Sequence, residues 1–213
     1  MCFDDVYANV KDLFGATPDP ILVRFRDAIP VGPPALDLGA GQGRHTFYLA
    51  RRGMTVHALD PSRVALDEIA RIARDEDLPV TTHLASFEYF AAPVPVYSAV
   101  LAFGLMPLLD WASIESLAQR LTEWTREGSL VFATGFTTGD SRFQQVASSC
   151  RKIGKNSFAQ PNGELRTYME PGEVTRLFEG FEVVHHWEGL GPVHQHGSLP
   201  PERHAMFELV LKR

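Results

Sequence analysis

The residues best suited to chemistry lie together in Ala35-Leu36-Asp37-Leu38-Gly39-Ala40-Gly41-Gln42-Gly43-Arg44. An apolar stretch runs into an acidic residue, glycines follow at alternate positions, and a helical pattern starts at once. Glycine adopts the dihedrals of a sharp turn, and its missing Cβ lets a ligand approach the backbone. The helix beyond presents N–H groups at its first turn, suited to a carboxylate or another acceptor. This is the chemistry of a cofactor loop. The dinucleotide fingerprint G-x-G-x-x-G, counted from Gly39, needs glycine at position 44, where Arg44 stands, so it fails. Asp60 closes the next apolar segment, 17 residues beyond Gly43. Doubly wound sheets place an acidic residue there to accept hydrogen bonds from ribose hydroxyls. Asp60 supports an adenosine cofactor and does not choose between methionine and nicotinamide.

The elements that must position these residues follow from periodicity. Phe3, Val6, Tyr7, Val10, Leu13 and Phe14 recur at helical spacing, and Ile21 to Ala28 reads as a second short helix. Residues 1–30 are expected to form a helical segment that either lies across the loop as a lid or pads a sheet face. Pro30, Pro33 and Pro34 lead into the first strand. Thr46 to Arg52 is predicted helical, Met54 to Leu59 a strand, and the stretch after Pro61-Ser62 a helix burying Val64, Leu66, Ile69, Ile72 and Ala73. Pro79 to Leu84, Val96 to Phe103 and Ser129 to Phe136 read as strands, with a helix over Trp111 to Arg126. Gly139 to Gly163 lacks a regular pattern. Pro171 to Glu179 is predicted to be a helix with proline in its first turn. Phe181 to Glu188 and Ala205 to Lys212 supply the last two strands. Such alternation predicts an α/β fold, with a doubly wound, mostly parallel seven-stranded sheet and one antiparallel strand near the C-terminus. One domain over 1–213 is expected, with 31–213 as its Rossmann-like core.

Composition narrows the partners. The chain has 213 residues, 45% of them hydrophobic, and a net charge of −6, with a pI near 5.7. Nucleic acid would call for a basic face, and there is no Lys/Arg cluster to make one. No run of about 20 apolar residues is present to span a membrane, and Met1 to Asp5 lacks the basic and apolar regions of a signal peptide. Cys2 and Cys150 are the only cysteines, which suits a reducing, cytoplasmic setting. A small-molecule substrate is expected, with no nucleic acid and no membrane partner; the oligomeric state stays open.

The D-x-G-x-G-x-G spacing from Asp37 resembles motif I of the class I S-adenosylmethionine-dependent methyltransferases. Over most of residues 31–213 the chain is similar to one branch, the tellurite-resistance methyltransferases. Leu36 to Arg44 and Tyr48-Leu49-Ala50 match that family's L-D-L-G-C-G-x-G-R-x-x-x-Y-L-A run, with Ala40 in place of Cys. Val100 to Leu109 resembles its strand-four segment, with Ser98 where Asp is usual. Gly163-Glu164-Leu165 resembles a late G-E-L signal, and Gly191-Pro192-Val193-His194 a G-x-x-H. The resemblance implies S-adenosylmethionine as cofactor, held by Asp37, Gly39, Gly41, Gly43, Arg44 and Asp60, with Asp37 facing the methionine ammonium. Ser86 and Phe87 stand where the adenine would lie, although relatives often carry Asp there. Phe103 is expected on the wall.

The family activity implied is methyl transfer to a chalcogen oxyanion such as tellurite, or to another small nucleophile. Its acceptor-side residues would be His194 and, with a one-residue shift, Arg203. A forked guanidinium suits oxygen pairs, and an imidazole can take a proton from a protic acceptor. Asn-Pro-Pro-Tyr and Asp-Pro-Pro-Tyr, the signatures of amino-methylating nucleic-acid enzymes, are absent. His185, His186, His194, His196 and His204 also permit a metal reading. It is disfavoured, because adjacent strand residues face opposite ways and Glu188 and Glu202 are the only nearby carboxylates; no metal is expected. A non-catalytic S-adenosylmethionine binder and a nicotinamide oxidoreductase stand as alternatives.

Overall fold

The computed structural model describes residues 3–93, 96–195 and 201–213, so Cys2 and His196 lie outside the described residues. Five strands run parallel: β1 (Ala35–Leu38), β2 (Val56–Asp60), β3 (Val80–Leu84), β4 (Ala99–Phe103) and β5 (Leu130–Thr137). Their order is β3-β2-β1-β4-β5. The direction of building reverses between β1 and β4, which opens a crevice beyond their carboxyl ends. All four residues of β1 and all five of β2 are buried, as strands covered on both faces must be.

Two further strands, β9 (Glu182–Leu190) and β10 (Ala205–Lys212), complete the predicted seven. The β10 strand pairs antiparallel with β5 on one edge and with β9 on the other. Thus β10 is the antiparallel member, and its first residues lie at the carboxyl end of the parallel set. On one face the core gathers Leu36, Val100, Phe207 and Leu209 with Ile114, Leu117, Leu121 and Trp124 of α5 (Trp111–Trp124). The α5 helix starts where the Asp110 carboxylate accepts a hydrogen bond from Ser113 N at 2.8 Å. The opposite face buries Leu22, Leu49, Val56, Ala99, Phe132 and Val210.

Three departures from the predicted elements bear on the site. The stretch expected to be irregular holds a short helix over Phe143–Ser149 and three more strands: β6 (Arg151–Gly154), β7 (Ser157–Ala159) and β8 (Leu165–Met169). Phe136 of β5 pairs with Tyr168 of β8 as well as with Met206 of β10. So β8 joins β5 on the edge that β4 uses, just past the point where β4 ends. The antiparallel β6-β7-β8 unit therefore hangs over the carboxyl end of β4. Secondly, the first helix, α1, covers only Asp4–Asn9. Asp12 and Gly15 take left-handed φ of 50° and 78°, and Gln42 takes up backbone groups of Val10 and Leu13 that a longer helix would use. Thirdly, no helix starts at Pro171, because Gly172 has φ +70°; a single 3-10 turn, Val174–Arg176, stands instead.

Candidate active site

A cavity of about 580 Å³ opens at the carboxyl ends of β1, β2 and β4. Its floor is the glycine loop, Leu38 to Gln42, followed by Arg44 and His45 of α3 (Arg44–Ala50). Asp60 closes β2 beneath it. One carboxylate oxygen accepts from Gly41 N at 2.8 Å and the other from Ser62 N at 2.8 Å. Burial raises the Asp60 pKa, and these two bonds oppose the rise. Ser86 and Phe87 line the cavity past β3, and Phe103, Leu105, Leu108 and Leu109 line it past β4. Gly163, Glu164 and Leu165, at the start of β8, close it from above.

The N-terminal segment covers the remaining side. Phe3, Tyr7, Phe14 and Gly15 are wall residues. Three staples hold the segment down. Gln42 Nε2 donates to Val10 O and Gln42 Oε1 accepts from Leu13 N, each at 2.8 Å. Arg44 Nη1 donates to Phe14 O at 2.9 Å. The Asp4 carboxylate accepts from Ser62 Oγ and from Val64 N, at the start of α4 (Arg63–Asp75). A Cβ on Gly41 would come within 3.1 Å of the Tyr7 hydroxyl, and Gly41 has φ +52°, so backbone and phenol approach across a gap no side chain fits. Burial, and then the Asp60 charge, push the Tyr7 pKa up; this phenol stays protonated.

Seven of the expected site residues therefore share one wall: Gly39, Gly41, Arg44, Asp60, Ser86, Phe87 and Phe103. Four do not. Asp37 is buried below the loop, where its carboxylate accepts from Thr46 Oγ1 at 2.7 Å; burial pushes its pKa up to about 6. Gly43 faces the helix layer: an added Cβ would lie 2.7 Å from the Phe47 ring and 2.9 Å from Ile69. Arg203 donates from Nε to Gly191 O at 2.6 Å and from Nη2 to Leu190 O at 3.2 Å. It clamps the β9–β10 connection and is not on the cavity wall. His194 lies on that same connection, also away from the wall, with its backbone bridged to Glu202. His185 and His186 turn to different carboxylates, Glu208 and Glu188.

The residue sequence reasoning missed is His45. It lines the cavity, stacks on Phe103 with ring centroids 4.2 Å apart, and is 5% exposed. Its Nε2 is buried without a hydrogen-bond partner among the described residues. Burial, and then Arg44, push its pKa down to about 2, so the ring is neutral at any working pH. The available signal was a histidine in the first turn after a cofactor loop.

Residues 35–128 match the family model described as a methyltransferase domain. The chain resembles the class I S-adenosylmethionine-dependent methyltransferases and carries their fold. Phosphoethanolamine N-methyltransferase 3 of Arabidopsis thaliana is 25% identical over 148 residues, covering 65% of this chain and 28% of its own length. The chain thus spans little more than a quarter of that relative. TehB from Haemophilus influenzae superposes with a TM-score of 0.71 at 17% identity, over 99% of this chain and 65% of TehB. The 1,6-didemethyltoxoflavin-N1-methyltransferase of Burkholderia thailandensis, solved with bound 1,6-didemethyltoxoflavin and S-adenosylhomocysteine, gives a TM-score of 0.68 at 16% identity, over 98% of this chain and 81% of that one. Among the described residues no helix is long and apolar enough to cross a membrane.

Proposed function

We propose that this chain transfers a methyl group from S-adenosylmethionine to a small organic acceptor with an apolar body and a neutral or basic nucleophile. The observation that carries the reading is one cavity that joins the glycine loop and Asp60 to an aromatic lid and the β6-β7-β8 flap. The residues present fit the cofactor. Gly41 leaves room that a Cβ would fill, Asp60 offers a carboxylate at the ribose position of the fold, and Ser86 with Phe87 provides a polar and a flat contact for a purine. When bound, the cofactor supplies a methyl group already activated by a sulfonium charge. The protein's own task is then to orient, to hold a nucleophile in line, and to exclude water; positioning alone accounts for about 7–11 kcal/mol of such a barrier. Tyr7, Phe14, Phe103 and Leu105 exclude water, and the neutral His45 Nε2 offers a hydrogen bond without a charge.

The charge on the wall discriminates between acceptors. Asp60, Glu88 and Glu164 are acidic, and Arg44, already committed to Phe14 O, is the one cation among the lining residues. A chalcogen oxyanion, as the tellurite-resistance resemblance suggests, would enter an apolar and net acidic space with little to replace its hydration. An amine, a phenol or a ring nitrogen suits it better. The relatives named above as N-methyltransferases, of phosphoethanolamine and of 1,6-didemethyltoxoflavin, are consistent with a nitrogen acceptor.

The test pairs calorimetry with turnover. S-adenosylhomocysteine should bind the purified chain one to one and NADH should not. Radiolabelled methyl from S-adenosylmethionine should appear on members of an amine, phenol and N-heterocycle panel and not on tellurite or selenite. Binding of NADH in place of S-adenosylhomocysteine would overturn the cofactor. Transfer to the oxyanions alone would overturn the acceptor class. Cofactor binding with no transfer to any acceptor would leave a non-catalytic binder.

A further inference from the structure

Outside the cavity, the connection between β9 and β10 assembles a second group of side chains. His194 and Glu202 face each other across an antiparallel bridge, with His194 N donating to Glu202 O at 2.9 Å and Glu202 N to His194 O at 2.8 Å. Directly opposite residues of such a pair present their side chains on one face, and in extended chain the residue two further on shares it. That residue is His204. One ligand atom from each of His194, Glu202 and His204 lies within 4.8 Å of the other two. Glu202 Oε1 is 3.5 Å from His204 Nε2 and 3.9 Å from His194 Nε2. Ligands about 2.0–2.1 Å from a tetrahedral zinc ion are about 3.4 Å from one another, so these spacings need little adjustment.

The far side of each ring supplies the second observation. His204 Nδ1 lies 2.8 Å from Asp140 Oδ2, and His194 Nδ1 lies 3.2 Å from Pro192 O. Asp140 is 4% exposed and also accepts from Arg142 N and Ala205 N. A carboxylate and a carbonyl accept only, which fixes the proton of each neutral ring on Nδ1 and turns the Nε2 lone pairs toward Glu202 Oε1. Metal-bound histidines are oriented in this way by carboxylates and carbonyls behind them. Such an arrangement of two Nε2 atoms around one carboxylate oxygen is suited to a shared cation, either a proton or a metal ion.

We propose that His194, Glu202 and His204 form a binding site for one first-row divalent transition metal ion, zinc above all. The ion fastens the β9–β10 connection to the carboxyl end of β5, with Asp140 and Pro192 O orienting the two imidazoles. Two imidazoles and one carboxylate match the nitrogen and oxygen donors zinc accepts, and leave a fourth position for water or an anion. The proposal is independent of the methyltransferase reading, since none of the three lines the cofactor cavity.

The Arg142 guanidinium pairs with Glu202 Oε2 and supplies a diagnostic. Its positive charge disfavours a cation beside that carboxylate, so Arg142→Gln should bind metal more tightly than the parent. The experiment titrates the untagged, chelator-treated full chain with ZnCl₂ by calorimetry, and with CoCl₂ by visible absorption. The expected result is one ion per chain with a dissociation constant of about 1 μM or below. His194→Ala and Glu202→Gln, both at partly exposed positions, should each weaken it by about tenfold or more, the scale at which even supporting residues act. Zinc should raise the melting temperature of the parent and not of His194→Ala. His185→Ala, on the neighbouring strand, should bind as the parent does. The proposal is overturned if the parent shows no saturable binding at about 100 μM zinc, which would mean that only protons bridge the three groups. It is equally overturned if both His194→Ala and Glu202→Gln retain parental affinity.

Discussion

Replacing Gln42 by alanine tests whether the N-terminal segment closes over the cofactor or pads the sheet. Gln42 is the one side chain of the glycine loop that reaches the segment from both ends of its amide, through bonds of 2.8 Å to Val10 O and from Leu13 N. A neutral, partly buried hydrogen bond contributes about 0.5–1.5 kcal/mol net, so Gln42→Ala costs the closed arrangement about 1–3 kcal/mol. If the closed arrangement is the one that holds cofactor, affinity for S-adenosylhomocysteine falls by about 5- to 150-fold. The Arg44 bond to Phe14 O and the Asp4 bonds at the start of α4 remain in the variant, so the lower part of that range is expected. Calorimetry gives the affinity, and hydrogen exchange across residues 3–14 reports closure. Exchange should rise in the free variant and drop again at saturating S-adenosylhomocysteine. A variant whose segment exchanges faster but which binds S-adenosylhomocysteine as tightly as the parent refutes the lid.

Three further substitutions separate structural from ligand-facing roles. Gly43→Ala introduces a Cβ at φ +85° within 2.7 Å of the Phe47 ring; urea unfolding should show a loss of about 2–4 kcal/mol from left-handed strain and overpacking, while the folded fraction keeps its cofactor affinity. His45→Phe keeps the stack on Phe103 and removes an orphaned buried nitrogen. Its melting temperature should hold or rise and its methyl-transfer rate should fall, so unchanged turnover would remove His45 from the reaction. Asp37 has a folded pKa near 6 against about 3.9 unfolded. The folded state binds this proton more tightly, so the stability it contributes is complete below about pH 4 and is lost as pH rises through 6. Asp37→Asn keeps an oxygen for Thr46 and removes the titration. Relative to the parent it should gain stability between pH 4 and pH 7 in denaturant titrations, and a relative loss over that window would contradict the burial argument.

The sheet was legible in the sequence because its determinants are local. Ala35-Leu36-Asp37-Leu38 and Val56-His57-Ala58-Leu59-Asp60 are short apolar runs closed by turn residues, and strands buried on both faces read that way. The order of strands and helices then leaves few topologies. The glycine loop was legible for the same reason, since alternate glycines between a strand and a helix demand unusual dihedrals at defined places. What spacing alone did not separate was the work of each glycine. Gly41 stays bare for the space beneath Tyr7, whereas Gly43 stays bare for Phe47 and Ile69; one motif faces both the cavity and a helix layer. Asp37 was misdirected by the same logic: its neighbours in sequence face the cavity, but its own carboxylate turns to Thr46.

The flap and the lid resisted reading because their shapes depend on partners far along the chain. In β6 and β7 the strands are only four and three residues long, too short for alternation to register. They are held in place through Thr167 Oγ1, which donates to Leu109 O at 2.5 Å, and through the pairing of Tyr168 with Phe136. Similarly α1 stops at Asn9 because Gln42, more than thirty residues later, takes up the carbonyl of Val10. These are also the segments that close the cavity from the side away from the sheet, through Phe3, Tyr7, Phe14, Glu164 and Leu165. The residues proposed to touch the cofactor directly, Gly39, Gly41 and Asp60, thus have conformations set within a few positions, whereas the lid and the flap depend on long-range closure. A chain built this way can alter the flap without changing the sequence of Gly39, Gly41 or Asp60. Exchanging residues 151–169 for the equivalent segment of a structural relative should therefore shift acceptor preference while leaving S-adenosylhomocysteine affinity within about threefold, because none of residues 151–169 belongs to the glycine loop, β1 or β2; a loss of cofactor binding in a folded exchange variant would show that the flap holds the cofactor as well.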